Sequence, residues 1–350
     1  MKLDKIHWNS RAIDGHNKQY RFIIGAREGG KSTNIILKMY RTFKETGRYI
    51  LILRRQQVAI TDLYIKSIQN TINKFHTHHV TLTYKTSSLG DGIVPVYIKD
   101  KLFMLVLGMS VNIDRIKSSC VPNLAFGVFD EFIVNKTFGE RYLKNEYNKF
   151  REIEKTFNRE CKGVLIWYFL GNPYSLYNPY FVHHLGDKIN DLKMGEIYDG
   201  VNFSIEWYKL SDELVKYILE KNPDYEFEDD YSRYALQGYN VNDENIKIRT
   251  SKPNNYFIEF CFRIAGKTLA VYKNTNYDEE NLYYVEPLKE NIVNKRIYAF
   301  DFENLVDRTT LLNRDDLFRF RRFSIAIQQR RIEFNTYECY YLVEEIYKVI

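Results

Sequence analysis

The chain has 350 residues, 45% hydrophobic and 27% charged, with only 7 Pro and 17 Gly, which excludes long disordered tracts and leaves room for two folded domains. The net charge of +6 permits a polyanionic partner without requiring one. The N-terminal sequence MKLDKIHWNSRAIDGH is too polar for a secretion signal, and the longest apolar runs fall short of the ~18 residues of a membrane span. Cys120, Cys161, Cys261 and Cys339 are scattered and form no Cys-x-x-Cys pair, so a zinc site is not expected and the thiols read as reduced. The expectation is a soluble intracellular protein that needs no membrane. Aromatic residues reach 16%, which suits base stacking, a subunit interface or merely an A/T-rich coding sequence.

In chain order, residues 1–19 read as a polar lead-in. A short apolar strand, Phe22-Ile23-Ile24, breaks at Gly25, and a helix begins at Lys31. Between them Gly25, Ala26, Arg27, Glu28, Gly29, Gly30, Lys31 and Ser32, followed by Thr33, fit the phosphate-loop pattern G-x-x-x-x-G-K-[ST]. Glycines let the backbone wrap a phosphate chain with its N–H groups inward, and the new helix presents its positive end to the same anion. Lys31 then reaches the β- and γ-phosphates of ATP, and the Ser32 hydroxyl ligates Mg2+.

The helix from Lys31 runs to about Thr46 and stops at Gly47. Residues 49–53 (YILIL) read as a buried parallel strand, and 61–75 as a helix. Residues 80–84, 94–99 and 102–107 read as strands, the last two joined by a turn at Asp100-Lys101. Residues 124–129 form the next buried strand, 140–159 a charged helix, and 164–170 (VLIWYFL) another strand that ends at Gly171-Asn172-Pro173. Strands alternating with helices predict an α/β fold with a mostly parallel sheet. Composition shifts near 205, and 206–250 reads as a small helical linker with helical patterns at 214–219 and 231–236. Strands recur at 256–264, 268–272, 282–285 and 297–300, and 315–350 is helical. The expected domains are 1–205, the linker 206–250, and a C-terminal α+β domain over 251–350.

In NLAFGVFDEF, four or five apolar residues feed into Asp130 and Glu131 at a strand's C-terminal end, a Walker B arrangement. Asp130 would hold the Mg2+ shell beside Ser32, and Glu131 would orient and polarise the attacking water. Asn172, after the following strand, can sense the γ-phosphate, although Asn also favours a turn before Pro173.

Taken as an ordered set, FIIGAREGGKS, the arginine pair in LILRR, VPNLAFGVFDEF and FNRE…FLGNPYSLYNPYF resemble the DNA-packaging (encapsidation) ATPases of phi-29-like podoviruses. Those proteins belong to the additional-strand, catalytic-glutamate (ASCE), terminase-like branch of P-loop ATPases. The resemblance implies ATP-driven translocation of double-stranded DNA by a homomeric ring, a pentamer. That ring would act in the host cytoplasm, docked at the portal vertex of a prohead, and in the type member it is tethered by a structural RNA. It also implies a role for Arg54 or Arg55 at the nucleotide in cis. Lys117 would act across the subunit interface, and Arg159 would be the finger that reaches a neighbour's ATP, with Arg151 as the alternate. The finger segment departs from the family's, which carries one more arginine than Phe157-Asn158-Arg159-Glu160.

The C-terminal domain resembles a ribonuclease-H-like fold that has lost cleavage. Glu259, Glu286 and Asp301 form no recognisable acidic set, and a two-metal nuclease needs one. Arg314, Arg319, Arg321, Arg322, Arg330 and Arg331, opposed by Asp315 and Asp316, offer a phosphate-backbone surface or a solvated basic face. The competing readings are a terminase-like motor-nuclease and a nucleotide-gated DNA-binding switch without rapid turnover. A GTPase is disfavoured because no Asn-Lys-x-Asp segment occurs.

Overall fold

The computed structural model describes residues 7–118, 122–135, 139–159, 163–222, 236, 238, 246–276, 280–288, 296–300, 302–312 and 314–347. Side chains are described for all of these except 187, 303, 314–319, 345 and 347. The chain divides into two units, Met1–Ser175 with Asp191–Asn242, and Leu176–Asn190 with Asp243–Ile350.

The first unit begins with α1 (Arg11–Gly15), β1 (Tyr20–Gly25), α2 (Lys31–Thr46), β2 (Tyr49–Arg54), α3 (Asp62–Phe75), β3 (Leu82–Thr83) and α4 (Ser87–Asp91). It continues through β4 (Ile93–Ile98), β5 (Lys101–Gly108), α5 (Ile113–Lys117), β6 (Leu124–Asp130), α6 (Glu146–Asn158) and β7 (Trp167–Gly171). After α7 (Pro179–Leu185), which belongs to the second unit, it resumes with β8 (Ile197–Asp199), β9 (Phe203–Tyr208) and α8 (Asp212–Lys221). The sheet order is β3-β4-β5-β2-β6-β7-β1-β9-β8. From β5 to β9 every neighbouring pair is parallel, and β3, β4 and β8 add antiparallel edges. β7 lies between β1 and β6, so one strand separates the loop-bearing strand from the acid-bearing one. β1 is buried along its whole length, which is why Phe22-Ile23-Ile24 reads as an unbroken apolar run rather than as an alternation.

Helix α2 buries Ile35, Met39, Tyr40 and Phe43 in the same core as Ile65, Ile68 and Ile72 of α3. Gly47 ends α2 at φ 66°, and the Thr61 side chain caps α3 by accepting from the Tyr64 N–H. Gly127 is required on β6: a β-carbon there would stand 2.4 Å from the Trp167 ring.

Several expectations are corrected. The lead-in is folded: Trp8 and Ile13 are buried, and Asp14 ties α1 to the sheet by pairing with Arg21 and Lys38 and accepting from the Tyr168 hydroxyl at 2.6 Å. The boundary expected at 205 falls inside β9, whose pairing with β1 continues to Tyr208. The linker's described helix, α8, packs Leu214 and Ile218 against Ala26, Leu210 and Leu236 and so belongs to the first unit. The helix expected over 140–159 starts only at Glu146, behind the left-handed Asn145 (φ 52°). Apart from Leu236, the helix expected at 231–236 lies outside the described residues, as do Cys120 and Cys161.

The second unit contains β10 (Lys247–Ile248), β11 (Tyr256–Ile264), β12 (Lys267–Asn274), β13 (Tyr283–Pro287), β14 (Ile297–Ala299) and β15 (Thr309–Leu311). It ends with α9 (Arg314–Gln328), β16 (Ile332–Phe334) and α10 (Tyr337–Tyr347). The order β13-β12-β11-β14-β15 is a 3-2-1-4-5 sheet, the first three strands antiparallel and the last two parallel to β11, as in ribonuclease-H-like folds. β16 and β10 extend it beyond β13. Phe320, Phe323, Ala326, Leu342, Val343 and Ile346 of α9 and α10 cover Phe260, Phe262, Val271 and Val285. The single helical stretch expected over 315–350 is therefore two helices split by a three-residue strand too short to show a period. The α7 segment joins this unit through Tyr177, stacked on Tyr337 with ring centres 3.6 Å apart.

Candidate nucleotide site

The loop between β1 and α2 turns through Glu28 (φ 58°) and Gly30 (φ 85°), both left-handed. Lys31 is 7% exposed, and its Nζ donates to the Gly25 and Ala26 carbonyls at 2.7 and 2.6 Å and lies 3.5 Å from Asn172 Oδ1. Among the described residues it forms no ion pair. Burial pushes its pKa down to about 7, with the Asp130 carboxylate opposing and Arg27 reinforcing. A buried ammonium that lacks a counter-ion, at the N-terminus of a helix and inside a glycine-rich turn, fits a phosphate anion. Ser32 is exposed in the first turn of α2, and Thr33 is half-buried beside it.

Arg54, at the end of β2, bridges the two acids: its guanidinium bonds Asp130 Oδ2 at 2.9 Å and Glu131 Oε2 at 2.7 Å. It lies 4.8 Å from the centre of the Tyr64 ring, and the Tyr64 hydroxyl is 3.4 Å from Asp130 Oδ2. Burial raises the Asp130 carboxyl, and Arg54 pulls it back. Glu131 has a left-handed backbone (φ 59°) and a side chain 65% exposed, so it projects from the end of β6 while Asp130 stays in the strand. Asp130 and Ser32 are the donors in this arrangement suited to a hard cation such as Mg2+.

Arg55 has a different place. It forks onto Glu146 at 2.8 and 3.1 Å and donates to the Glu131 and Phe132 carbonyls at 3.0 and 2.5 Å. The pair left open by the sequence is thus divided: Arg54 lies on the acids, and Arg55 fastens the backbone behind them to α6. Asn172 follows β7 and links Lys31 to Tyr174, whose hydroxyl lies 3.4 Å from Asn172 Nδ2 and accepts from Arg27 at 3.3 Å. Tyr64 and Glu146 carry no motif signal. Tyr64 reads as an ordinary residue in the first turn of an amphipathic helix, and only the fold brings it to Asp130.

The other candidates lie apart from this cluster. Arg159 is exposed just past the end of α6 and has no partner among the described residues, whereas Arg151 pairs with the buried Glu154 at 3.1 Å. Lys117 is exposed at the end of α5. In the second unit Arg321, Arg322 and Arg330 are exposed, while Arg331 is half-buried and donates to the Glu280 carbonyl at 3.0 Å. The side chains of Arg314, Asp315, Asp316 and Arg319, and Asp301 altogether, lie outside the described residues. Glu259 stands 3.7 Å from Lys273, and Glu286 is buried against Tyr272.

A family model described as "Podovirus DNA encapsidation protein (Gp16)" matches residues 3–350. The chain belongs to this family. As a podovirus DNA encapsidation protein it serves viral DNA packaging. Among solved structures it is similar to the bacteriophage phi-29 viral genome packaging motor assembly, at 20% identity and a TM-score of 0.67 over 98% of this chain and 99% of that one. It is also similar to the phi-28 gp11 DNA packaging motor, at 14% identity and a TM-score of 0.68 over 99% and 98%. These likenesses show that the encapsidation fold extends over both units. No curated protein sequence matches.

Proposed function

We propose that this encapsidation protein is an ATP-hydrolysing motor subunit that drives double-stranded DNA into a prohead. The observation that carries the reading is the buried Lys31 ammonium, which forms no ion pair among the described residues and lies within contact range of Asn172, at the same end of the sheet as the Asp130–Glu131 pair. Lys31 and the loop N–H groups bind the triphosphate. Ser32 and Asp130 are the residues that would hold Mg2+, which when bound neutralises phosphate charge. The exposed Glu131 carboxylate accepts the proton of the attacking water, and Asn172 orients that water. Arg54 holds both carboxylates in place and opposes the burial that raises the Asp130 carboxyl, and Tyr64 holds Arg54 over them. Each backbone or side-chain donor aimed at developing charge contributes a factor of roughly 10²–10³ to the rate.

Arg159, exposed and without a partner among the described residues, serves a neighbouring subunit's nucleotide, and Lys117 lies at the same interface. Arg151, paired with Glu154 on its own helix, remains the alternate. Family membership supports a homomeric ring, a pentamer in this reading, seated on the portal in the host cytoplasm. A structural RNA can serve as the tether. The second unit binds nucleic acid or the portal, with Arg321, Arg322 and Arg330 as its phosphate contacts.

The deciding experiment is ATP hydrolysis with DNA and proheads, run beside Glu131→Gln. The variant is expected to bind ATP normally while turnover falls at least about 10²-fold. Wild-type turnover would remove Glu131 from the chemistry.

A further inference from the structure

Beyond β7 the chain makes a three-residue turn, Asn172-Pro173-Tyr174, closed by the Tyr174 N–H donating to the Asn172 carbonyl at 2.8 Å. The φ that proline imposes suits the centre of such a turn. The turn starts beside the acids. Leu170 stands in register with Asp130, and a β-carbon on Gly171 would come within 2.9 Å of the Phe132 ring, one residue past Glu131. Tyr174 is buried, and the turn brings its hydroxyl back to the Asn172 side chain. Two N–H groups meet that hydroxyl: Arg27 Nη2 donates to it at 3.3 Å, and Asn172 Nδ2 lies 3.4 Å away.

The ends of this chain of contacts fix its direction. Lysine and arginine carry donors and no acceptor. The Lys31 ammonium, 3.5 Å from the Asn172 carboxamide, therefore faces its oxygen, which leaves the NH2 end for Tyr174. The Tyr174 oxygen already accepts from Arg27 and has a second lone pair for that NH2. A flipped carboxamide would turn its NH2 toward the ammonium. Asn172 is thus oriented from two sides, by Lys31 and, through Tyr174, by Arg27. The two holds differ in durability. A bound triphosphate offers Lys31 phosphate oxygens in place of Asn172 Oδ1, whereas the Tyr174 contact is at the other end of the amide and does not depend on Lys31.

We propose that Tyr174 is a positioning residue for hydrolysis: its hydroxyl keeps the Asn172 carboxamide with Oδ1 toward the attacking water once Lys31 engages the phosphates. Asn172 Oδ1 accepts one O–H of that water, and Glu131 takes the proton that leaves. Without the hydroxyl the carboxamide turns, and a donor replaces the acceptor that the water needs. The inference rests on the nucleotide reading of the loop.

The test is steady-state ATP hydrolysis by the full-length chain with DNA and proheads, for the wild type, Tyr174→Phe, Asn172→Ala and the double variant. Tyr174→Phe keeps the buried ring and removes only the hydroxyl. It is expected to lower kcat about 3- to 10-fold, the range of one hydrogen bond, with KM for ATP unchanged, because the contact orients water rather than nucleotide. In the Asn172→Ala background the same change should lower kcat no further. An unchanged kcat in Tyr174→Phe, a raised KM without loss of kcat, or an equal further loss in the double variant would overturn the assignment and leave the nucleotide site standing. Wild-type turnover in Asn172→Ala would overturn it together with the role of Asn172. No hydrolysis by the wild type would overturn the nucleotide reading as well. If Asn172→Ala does not fold, the split between kcat and KM in Tyr174→Phe still decides.

Discussion

Lys31 occupies a position that is poor for the empty protein and good for a bound anion. Its charge is buried, offset by two loop carbonyls, a distant amide oxygen and, without direct contact, the Asp130 carboxylate. Lys31→Met should therefore abolish triphosphate binding while leaving the urea midpoint unchanged or higher, because a desolvated ammonium is exchanged for an apolar stem. Binding that persisted would reject Lys31 as the phosphate ligand, and an unfolding free energy lowered by several kcal/mol would make it a structural residue. Arg54 is the complementary case: it already satisfies two carboxylates, so its loss would leave Asp130 buried without its strongest partner. A lysine could not replace it, since a point charge cannot fork between two acids while lying on an aromatic ring.

Among the elements, α6 and the end of β2 are joined by the Arg55–Glu146 pair, whose carboxylate is fully buried. Removing one partner is expected to cost about 3–5 kcal/mol, because it strands the other charge. Arg55→Met alone should show this loss in denaturant unfolding. Arg55→Met combined with Glu146→Leu should recover much of it, and additive losses would mean that the two do not act as a pair. Such couplings also mark the limit of what sequence conveys. Strands such as Tyr49–Arg54 and Tyr256–Ile264 were legible because long apolar runs bounded by turns have few other uses. Phe203–Tyr208 was not, because Ser204 and Glu206 interrupt its run. The loop and the acid pair were legible because their chemistry fixes their spacing. Arg54 over Tyr64, and Arg55 on Glu146, are tertiary contacts with no local signature.

For the whole molecule, the reading as a ring requires each subunit's site to be completed by its neighbour. Arg159→Ala mixed with wild-type chains should lower ATP hydrolysis more steeply than the mutant fraction, since one altered subunit disables the site beside it. Strictly proportional loss would place Arg159 within its own subunit or outside the reaction. Legibility at this scale was uneven. The order of the two sheets follows from their strand runs, but the passage of 176–190 into the second unit has no compositional mark, and it depends on contacts such as Tyr177 stacked on Tyr337.

That passage governs how the protein can be dissected. The polypeptide goes from one unit to the other at 175/176, returns at 190/191 and leaves again at 242/243, so no single cut yields two complete halves. A recombinant piece starting at 243 omits α7 and uncovers one face of Tyr337, while a piece ending at 242 carries the orphaned helix with it. Fragments meant to reproduce either unit would need residues 176–190 grafted onto the second and a short bridge in their place in the first.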